Sequence, residues 1–152
     1  MIITTMDRAG CMALLQAARL GRLACVGNGQ PYVVPITYAA DGESLYSFSL
    51  LGQKIEWMRQ DPRVCVQVDD LDGERGWRSV VVNGRYEELP DRIGWKVQRD
   101  RAWQLLSRDA DWWQPGGIKP VPEPPTRRIF YRIVVEELTG RHAFPEKDAG
   151  AA

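Results

Sequence analysis

The chain is poor in the side chains that most enzymes use for catalysis. It has one histidine, His142. A Ser-His-Asp hydrolase would have to be built on that residue, and no G-x-S-x-G elbow is present to supply its nucleophile. No group of His, Cys and carboxylates has metal-ligand spacing, which argues against a zinc centre. The glycine patterns G-x-G-x-x-G and G-x-x-x-x-G-K-[ST], which cradle dinucleotides and nucleoside triphosphates, are also missing. The three cysteines, Cys11, Cys25 and Cys65, are odd in number and contain no C-x-x-C pair. They are read as buried structural thiols of a reducing compartment, with Cys25 and Cys65 inside apolar strand-like runs. Charge of either sign is not in excess: 20 Lys and Arg balance 20 Asp and Glu. A whole-molecule pull on nucleic acid or on an anionic membrane is therefore not expected. No apolar run approaches the ~20 residues of a membrane span, and no basic-then-apolar leader opens the chain. A cytoplasmic protein with no nucleic-acid or membrane partner is the expectation.

What is present reads as short strands joined by turns. Residues 7–20 have helical spacing, with Asp7 as the cap and Gly21 as the stop. RLACV and PYVVPITY flank Gly27-Asn28-Gly29-Gln30, a hairpin signal in which Asn28-Gly29 supplies positive φ. A turn at 40–42 leads into the strand SLYSFS, and QKIEWMRQ (53–60) forms a short helix stopped by Asp61-Pro62. RVCVQV is a fourth strand and DDLDGERG a polar loop. WRSVVVNGRYEEL is a long fifth strand with a bulge or turn at Asn83-Gly84. A second helix covers roughly 91–108, carrying Ile93, Val97, Trp103, Leu105 and Leu106. The Pro- and Gly-rich insert DADWWQPGGIKPVPEPPT follows, and then the last strand, RRIFYRIVVEELTGR. This is not the regular alternation of a doubly wound sheet. It predicts a mainly β fold, a six-stranded antiparallel barrel with flanking helices, as one domain over 1–144 and a disordered tail over 145–152.

Three stretches carry the candidate chemistry. Pro35, in YVVPITY, cannot donate to a ladder and so marks an edge or a rim. Its neighbours Val34, Ile36 and Thr37 then have backbone groups open either to a flat polar ring or merely to solvent, the proline guarding against aggregation. In SFSLLGQK (47–54), Ser47 and Ser49 share one strand face and Lys54 falls in the first turn of the next helix. A first-turn lysine opposes the helix dipole, whereas hydroxyls, free N–H groups and an ammonium together make a phosphate cradle. The bland alternative is a solvated strand face beside a surface cation. In WRSVVV (77–82), Trp77 and Ser79 share a face; Trp77 is either the wall of a ring site or a core tryptophan.

The ordered set of segments resembles the pyridoxamine 5′-phosphate oxidase-like, FMN-binding split-barrel superfamily, and more narrowly its small flavin-nucleotide-binding branch. The parts come in the family's order: GRLAC, QPYVVPITY, the Lys54-bearing helix, DPRVCV, WRSVVVNG and the closing FYRIVVEELTGR. The resemblance covers most of residues 13–141. It implies a split β-barrel and a homodimer with noncovalent FMN at the subunit interface. By the same resemblance, Val33, Val34, Pro35, Ile36 and Thr37 contact the isoalloxazine edge through their backbone. Ser47, Phe48 and Ser49, with Gln53 and Lys54, hold the ribityl phosphate. Ser79, with Trp77, approaches the ring. The chain departs from the true oxidase at Tyr32 and Gln53, where that enzyme carries arginines. Its end, TGRHAFPEKD, also lacks the oxidase's arginine-rich substrate segment, which points to a substrate other than pyridoxamine phosphate. Trp112 and Trp113 of the insert either cover the flavin or anchor the loop.

Two functional classes follow. The first is an FMN-dependent oxidoreductase for a small molecule, since a flavin brings its own redox chemistry and needs no catalytic triad. The second is a non-enzymatic module that stores or senses flavin, deazaflavin or haem, with His142 as a conceivable axial ligand. Fold alone does not separate them.

Overall fold

The computed structural model describes residues 1–71, 73–108 and 128–146. Its order is β1 (Ile2–Thr5), α1 (Arg8–Ala17), β2 (Leu20–Gly27), β3 (Gln30–Thr37), β4 (Ala39–Asp41), β5 (Ser44–Ser49), α2 (Gln53–Gln60), β6 (Arg63–Leu71), β7 (Trp77–Leu89), α3 (Lys96–Ser107) and β8 (Ile129–Phe144). The strands form one antiparallel sheet in the order β3-β2-β6-β7-β8-β5-β4, with β1 paired to β8. The sheet curls into a split barrel and does not close. The expected fold class holds, with eight strands among the described residues in place of six. The two additional strands, β1 and β4, are short edge pieces. The insert residues Trp112 and Trp113, and positions 147–152 of the tail, lie outside the described residues.

Local chemistry explains several joints. Asp7 caps α1, its Oδ1 accepting from Gly10 N at 2.7 Å. Asn28 and Gly29, at φ of 52° and 73°, form the β2–β3 hairpin as expected. The β7–β8 ladder slips between Asn83 and Gly84, where Asn83 faces Glu137 but Gly84 faces Val135. Glu136 is therefore the extra residue of a β-bulge. A side chain at Gly84 would run into the carbonyl oxygen of Val134. Several expected boundaries move. α1 ends at Ala17, because Leu20 and Gly21 are taken into β2 opposite Thr37 and Ile36. β6 runs on to Leu71 through part of the expected polar loop, because Asp69, Asp70 and Leu71 pair with Ser79, Arg78 and Trp77. β8 extends to Phe144, held by β7 on one side and β1 on the other.

Alternation sorts the strands into two faces. Leu23, Cys25, Val64, Val66, Val68, Val80, Val82, Tyr131 and Ile133 fill the barrel, closed by Leu14 and Leu15 of α1 and by Ile55 and Met58 of α2. A second cluster lies outside it, where Ala102, Leu105 and Leu106 of α3 cover Tyr46, Leu89 and Phe130. β5 is thus buried on both faces. The expected apolar stripe of α3 is only half right: Leu105 and Leu106 are buried, but Ile93 and Val97 are 98% and 78% exposed, and Ile93 belongs to a 3-10 turn before the helix. Periodicity over 91–108 counted apolar residues on more than one face. Cys11 and Cys25 are buried, Cys65 is half-buried on the outer face, and all three are free thiols.

Tyr131 lies wholly inside the barrel, its hydroxyl beside Ser47 but without a partner in good hydrogen-bonding geometry. Burial is the main reason its phenol is pushed up to about 12. The folded chain holds this proton more tightly than the unfolded chain does. The resulting stability is fully present below pH 10, the ordinary tyrosine value, and is lost as pH rises from there through about 12. Tyr131→Phe should be at least as stable as the parent at neutral pH and should move alkaline unfolding, followed by circular dichroism, to higher pH. Gly84→Val should lower stability by about 2–3 kcal/mol in urea unfolding, since the bulge leaves no room for a side chain.

Candidate functional site

The open seam of the barrel lies between β3, one edge of the sheet, and the β4–β5 hairpin, the other. A side-chain bond crosses it: Ser47 Oγ donates to the carbonyl oxygen of Thr37 at 2.6 Å. Just beyond, Tyr38 is buried and anchored to α1, its hydroxyl donating to the Leu15 carbonyl at 2.8 Å. Among the described residues β3 pairs only with β2, so the outer backbone edge of Val33 to Thr37 has no ladder partner there. Pro35 sits in the middle of that edge, as its missing N–H requires.

α2 follows the end of β5 and packs on β2, the neighbour of β3. Gly52 is its N-cap and provides no side-chain cap. The first helical bond runs from Glu56 N to Gly52 O, which leaves the N–H groups of Gln53, Lys54 and Ile55 without helical acceptors. Lys54 is half-buried, and burial pulls its ammonium below the ordinary lysine value, an effect opposed by nearby Cys25. No acidic partner pairs with it among the described residues. Free N–H groups and an unpaired, partly desolvated cation are what an anion binds. α2 is seated by Trp57, which lies against Gly27 and meets Tyr32 edge-on at 5.6 Å between centroids.

The expected site residues do not all meet. Lys54 lies beside Cys25, the register partner of Tyr32 in β3, and Ser49 ends the strand that leads into α2, which sets the corner of Ser49, Gln53 and Lys54 near the β3 edge Val33, Val34, Pro35, Ile36 and Thr37; the side chains of Val34 and Ile36 turn towards the core. Two expectations are corrected. Ser47 is only 2% exposed and its hydroxyl is bonded to Thr37, so it ties the seam and is not on an open face. Phe48 points the other way, against Phe130 and beneath Arg128, because alternation turns it to the α3 side. Ser49 Oγ donates to the neighbouring Leu50 carbonyl at 2.9 Å.

Trp77 and Ser79 open β7, three strands from β3 and so about 14 Å across the sheet. They share the outer sheet face with Val33 and Pro35. A polar chain crosses that face. Arg22 Nη1 donates to Asp69 Oδ1 at 3.3 Å, and Gln67 Nε2 donates to Asp69 Oδ2 at 3.1 Å and to Ser79 Oγ at 3.0 Å. Sequence reasoning passed over Arg22, Gln67 and Asp69. The signal was there, since alternation in RVCVQVDD sets Gln67 and Asp69 on the face opposite its valines. The same face bears exposed Leu20, Val26, Val33 and Leu71. A groove of about 430 Å³ crosses it, floored by Ala24, Val26 and Cys65 and rimmed by Asn83 and Glu137. A second cleft, of about 540 Å³, lies between α1 and the Asp69–Asp70–Arg78 end of β6 and β7. His142 lies in β8 against Phe144, and no group of metal-ligating side chains occurs among the described residues. No helix among them is long and apolar enough to cross a membrane.

This split barrel and its order of elements match the family model described as pyridoxamine 5′-phosphate oxidase over residues 7–142. The chain belongs to that family. It is 47% identical over 146 residues to the uncharacterized protein RA0666 of Rhizobium meliloti strain 1021, covering 94% of this chain and 97% of that one. Among solved structures it is similar to a FAD-binding protein (mll6688) of Mesorhizobium loti, with 52% identity, TM-score 0.80, and coverage of 94% and 99%. It is also similar to an F420 reductase, with 25% identity, TM-score 0.60, and coverage of 85% and 95%.

Replacing Ser47 with alanine leaves the Thr37 carbonyl without its side-chain donor. Ser47→Ala should cost about 2 kcal/mol in urea unfolding. Hydrogen exchange should rise most at β3 and β5, the two strands the bond joins.

Proposed function

We propose that the protein binds a flavin nucleotide at this seam and is an oxidoreductase for a small molecule. The observation that carries the reading is the juxtaposition, in a chain of this family, of an unpaired backbone edge at Val33–Thr37 with an uncapped helix start bearing Lys54. The donor set fits a flavin nucleotide. The N–H groups of α2, Lys54 and Gln53 suit a dianionic phosphate, and the β3 edge suits the hydrogen-bonding rim of a flat heterocycle. With only one cation in the first turn of α2, phosphate is held chiefly by Lys54 and backbone. The flavin, when bound, supplies hydride or electron transfer; the chain binds it, orients it and keeps water from it.

In this reading the functional unit is a homodimer. Ser79 and Trp77 are too far from β3 to share one ring with it in a single chain, whereas a second copy laid on the outer face would bring its own Ser79 and Trp77 to this edge. The exposed Leu20, Val26, Val33 and Leu71 are the apolar surface that such a contact would cover. FMN is the smallest flavin that uses the Lys54 corner. A second reading, FAD, is favoured by the 52% identical relative described as FAD-binding, and the F420 reductase keeps a deazaflavin in the comparison.

The purified protein should be yellow, or should become so on addition of flavin, and mass spectrometry of the molecule released by denaturation should distinguish FMN, FAD and deazaflavin. Lys54→Ala should weaken binding at least about tenfold, as loss of a charge-assisted contact to phosphate. Because Lys54 is a partly desolvated cation without an acidic partner, the same substitution should leave the melting temperature of the flavin-free protein unchanged or higher. A colourless protein that takes up none of the three would refute the proposal.

A further inference from the structure

We infer that Gln67, together with Ser79, reads the imide edge of the flavin ring; the inference rests on the flavin reading above and deepens it. The argument comes from the direction of the hydrogen bonds on the outer face. Gln67 uses the same nitrogen twice, towards the Asp69 carboxylate at 3.1 Å and the Ser79 hydroxyl oxygen at 3.0 Å. A carboxylate only accepts, so the end of the Gln67 amide that faces Asp69 must be its NH2 group. Asp69 is itself held by Arg22 through its other oxygen. The amide is therefore set in one orientation by its own strand and the one beside it.

Two consequences follow at the surface. Gln67 Oε1 accepts no hydrogen bond among the described residues and is left as an acceptor. Ser79 Oγ has accepted from Gln67, so its own O–H remains a donor. Gln67 and Ser79 are both half-buried, lie on adjacent strands and touch each other. The face thus offers one acceptor beside one donor. An imide, N–H flanked by C=O, is the complement of that pair. The pyrimidine end of the isoalloxazine carries such a group at N3–H and its neighbouring carbonyls, and FMN, FAD and a deazaflavin share it. In the dimer of that reading, Gln67 of the second copy would accept from N3–H and Ser79 of the same copy would donate to an adjacent carbonyl. Arg22 and Asp69 are positioning residues, acting only through the Gln67 amide.

The test is equilibrium binding of FMN and of N3-methyl FMN to the full-length protein, followed by flavin fluorescence. The parent should bind FMN at least about tenfold more tightly than the N3-methyl compound, because methylation removes the donor that Gln67 needs. Gln67→Leu should bind FMN about tenfold more weakly and lose most of that discrimination. Asp69→Asn, which no longer forces the amide orientation, should also narrow it. Circular dichroism checks that each variant is folded, and the parent's own discrimination stands as a test if one is not. Tight FMN binding with no penalty for the N3-methyl compound would overturn the inference and leave the flavin reading intact. So would a folded Gln67→Leu variant with the parent's affinity and selectivity. Failure of the parent to bind either flavin would overturn the flavin reading and this inference with it.

Discussion

The architecture depends on one strand being paired along both of its sides. β8 runs for 16 residues, with β7 along one side and β5 and β1 sharing the other. A flat ribbon of that length could not follow the curl of the sheet. The bulge at Glu136, opposite Asn83 and Gly84, lets the β7–β8 pair bend between its two halves. Before the bulge β8 is flanked by β5, and after it by β1. Gly84 is needed because the chain crosses close to Val134 at the bend, and backbone cannot move aside as a side-chain tip can.

Once β7 and β8 occupy the centre, the two ends of the sheet must fall at β3 and β4, and the seam between them is an outcome of the topology. An unpaired edge would usually invite another strand. Here Pro35 breaks the row of donors, and Ser47 reaches across to the Thr37 carbonyl. The seam is thereby fixed in width while its outer backbone groups stay open. Stability and binding make different demands on the same few residues. The carbonyl of Thr37 serves the fold, whereas the edge from Val33 to Ile36 is where the proposed reading puts the ligand.

Features with local causes were legible in the sequence. Asn28-Gly29 names its own turn, Asp7 its own cap, and Asn83-Gly84 its own irregularity, because each depends on the φ, ψ or hydrogen bonds of a few neighbouring residues. β1 and β4 were not legible. IITT and AAD become strands only because Phe144 to Arg141 and Tyr46 to Ser44 lie beside them. The same limit governs the site. Pro35 and Lys54 announced themselves by violating local rules. Ser47 and Phe48 were misread because alternation tells which residues share a face but not that both faces of β5 are covered. Gln67 was overlooked because its meaning lies in partners 2 and 12 residues away, which only the register brings together.

The polar chain on the outer face also explains why a nearly neutral protein needs little charge at such a site. On an open surface an Arg22–Asp69 contact of 3.3 Å contributes little, since water screens both partners. Its structural effect does not depend on that energy. Asp69 accepts on both oxygens, from Arg22 and Gln67, and this fixes a neutral amide rather than presenting a charge. The cationic charge at the seam is then left to Lys54, where an anion would sit, and the middle of the face presents oriented dipoles among Leu20, Val26, Val33 and Leu71. If this face is covered, each of those dipoles gains strength from the loss of water, and each becomes costly to leave unpaired. Selectivity for a ring with a matching edge follows from that cost more than from the attraction itself.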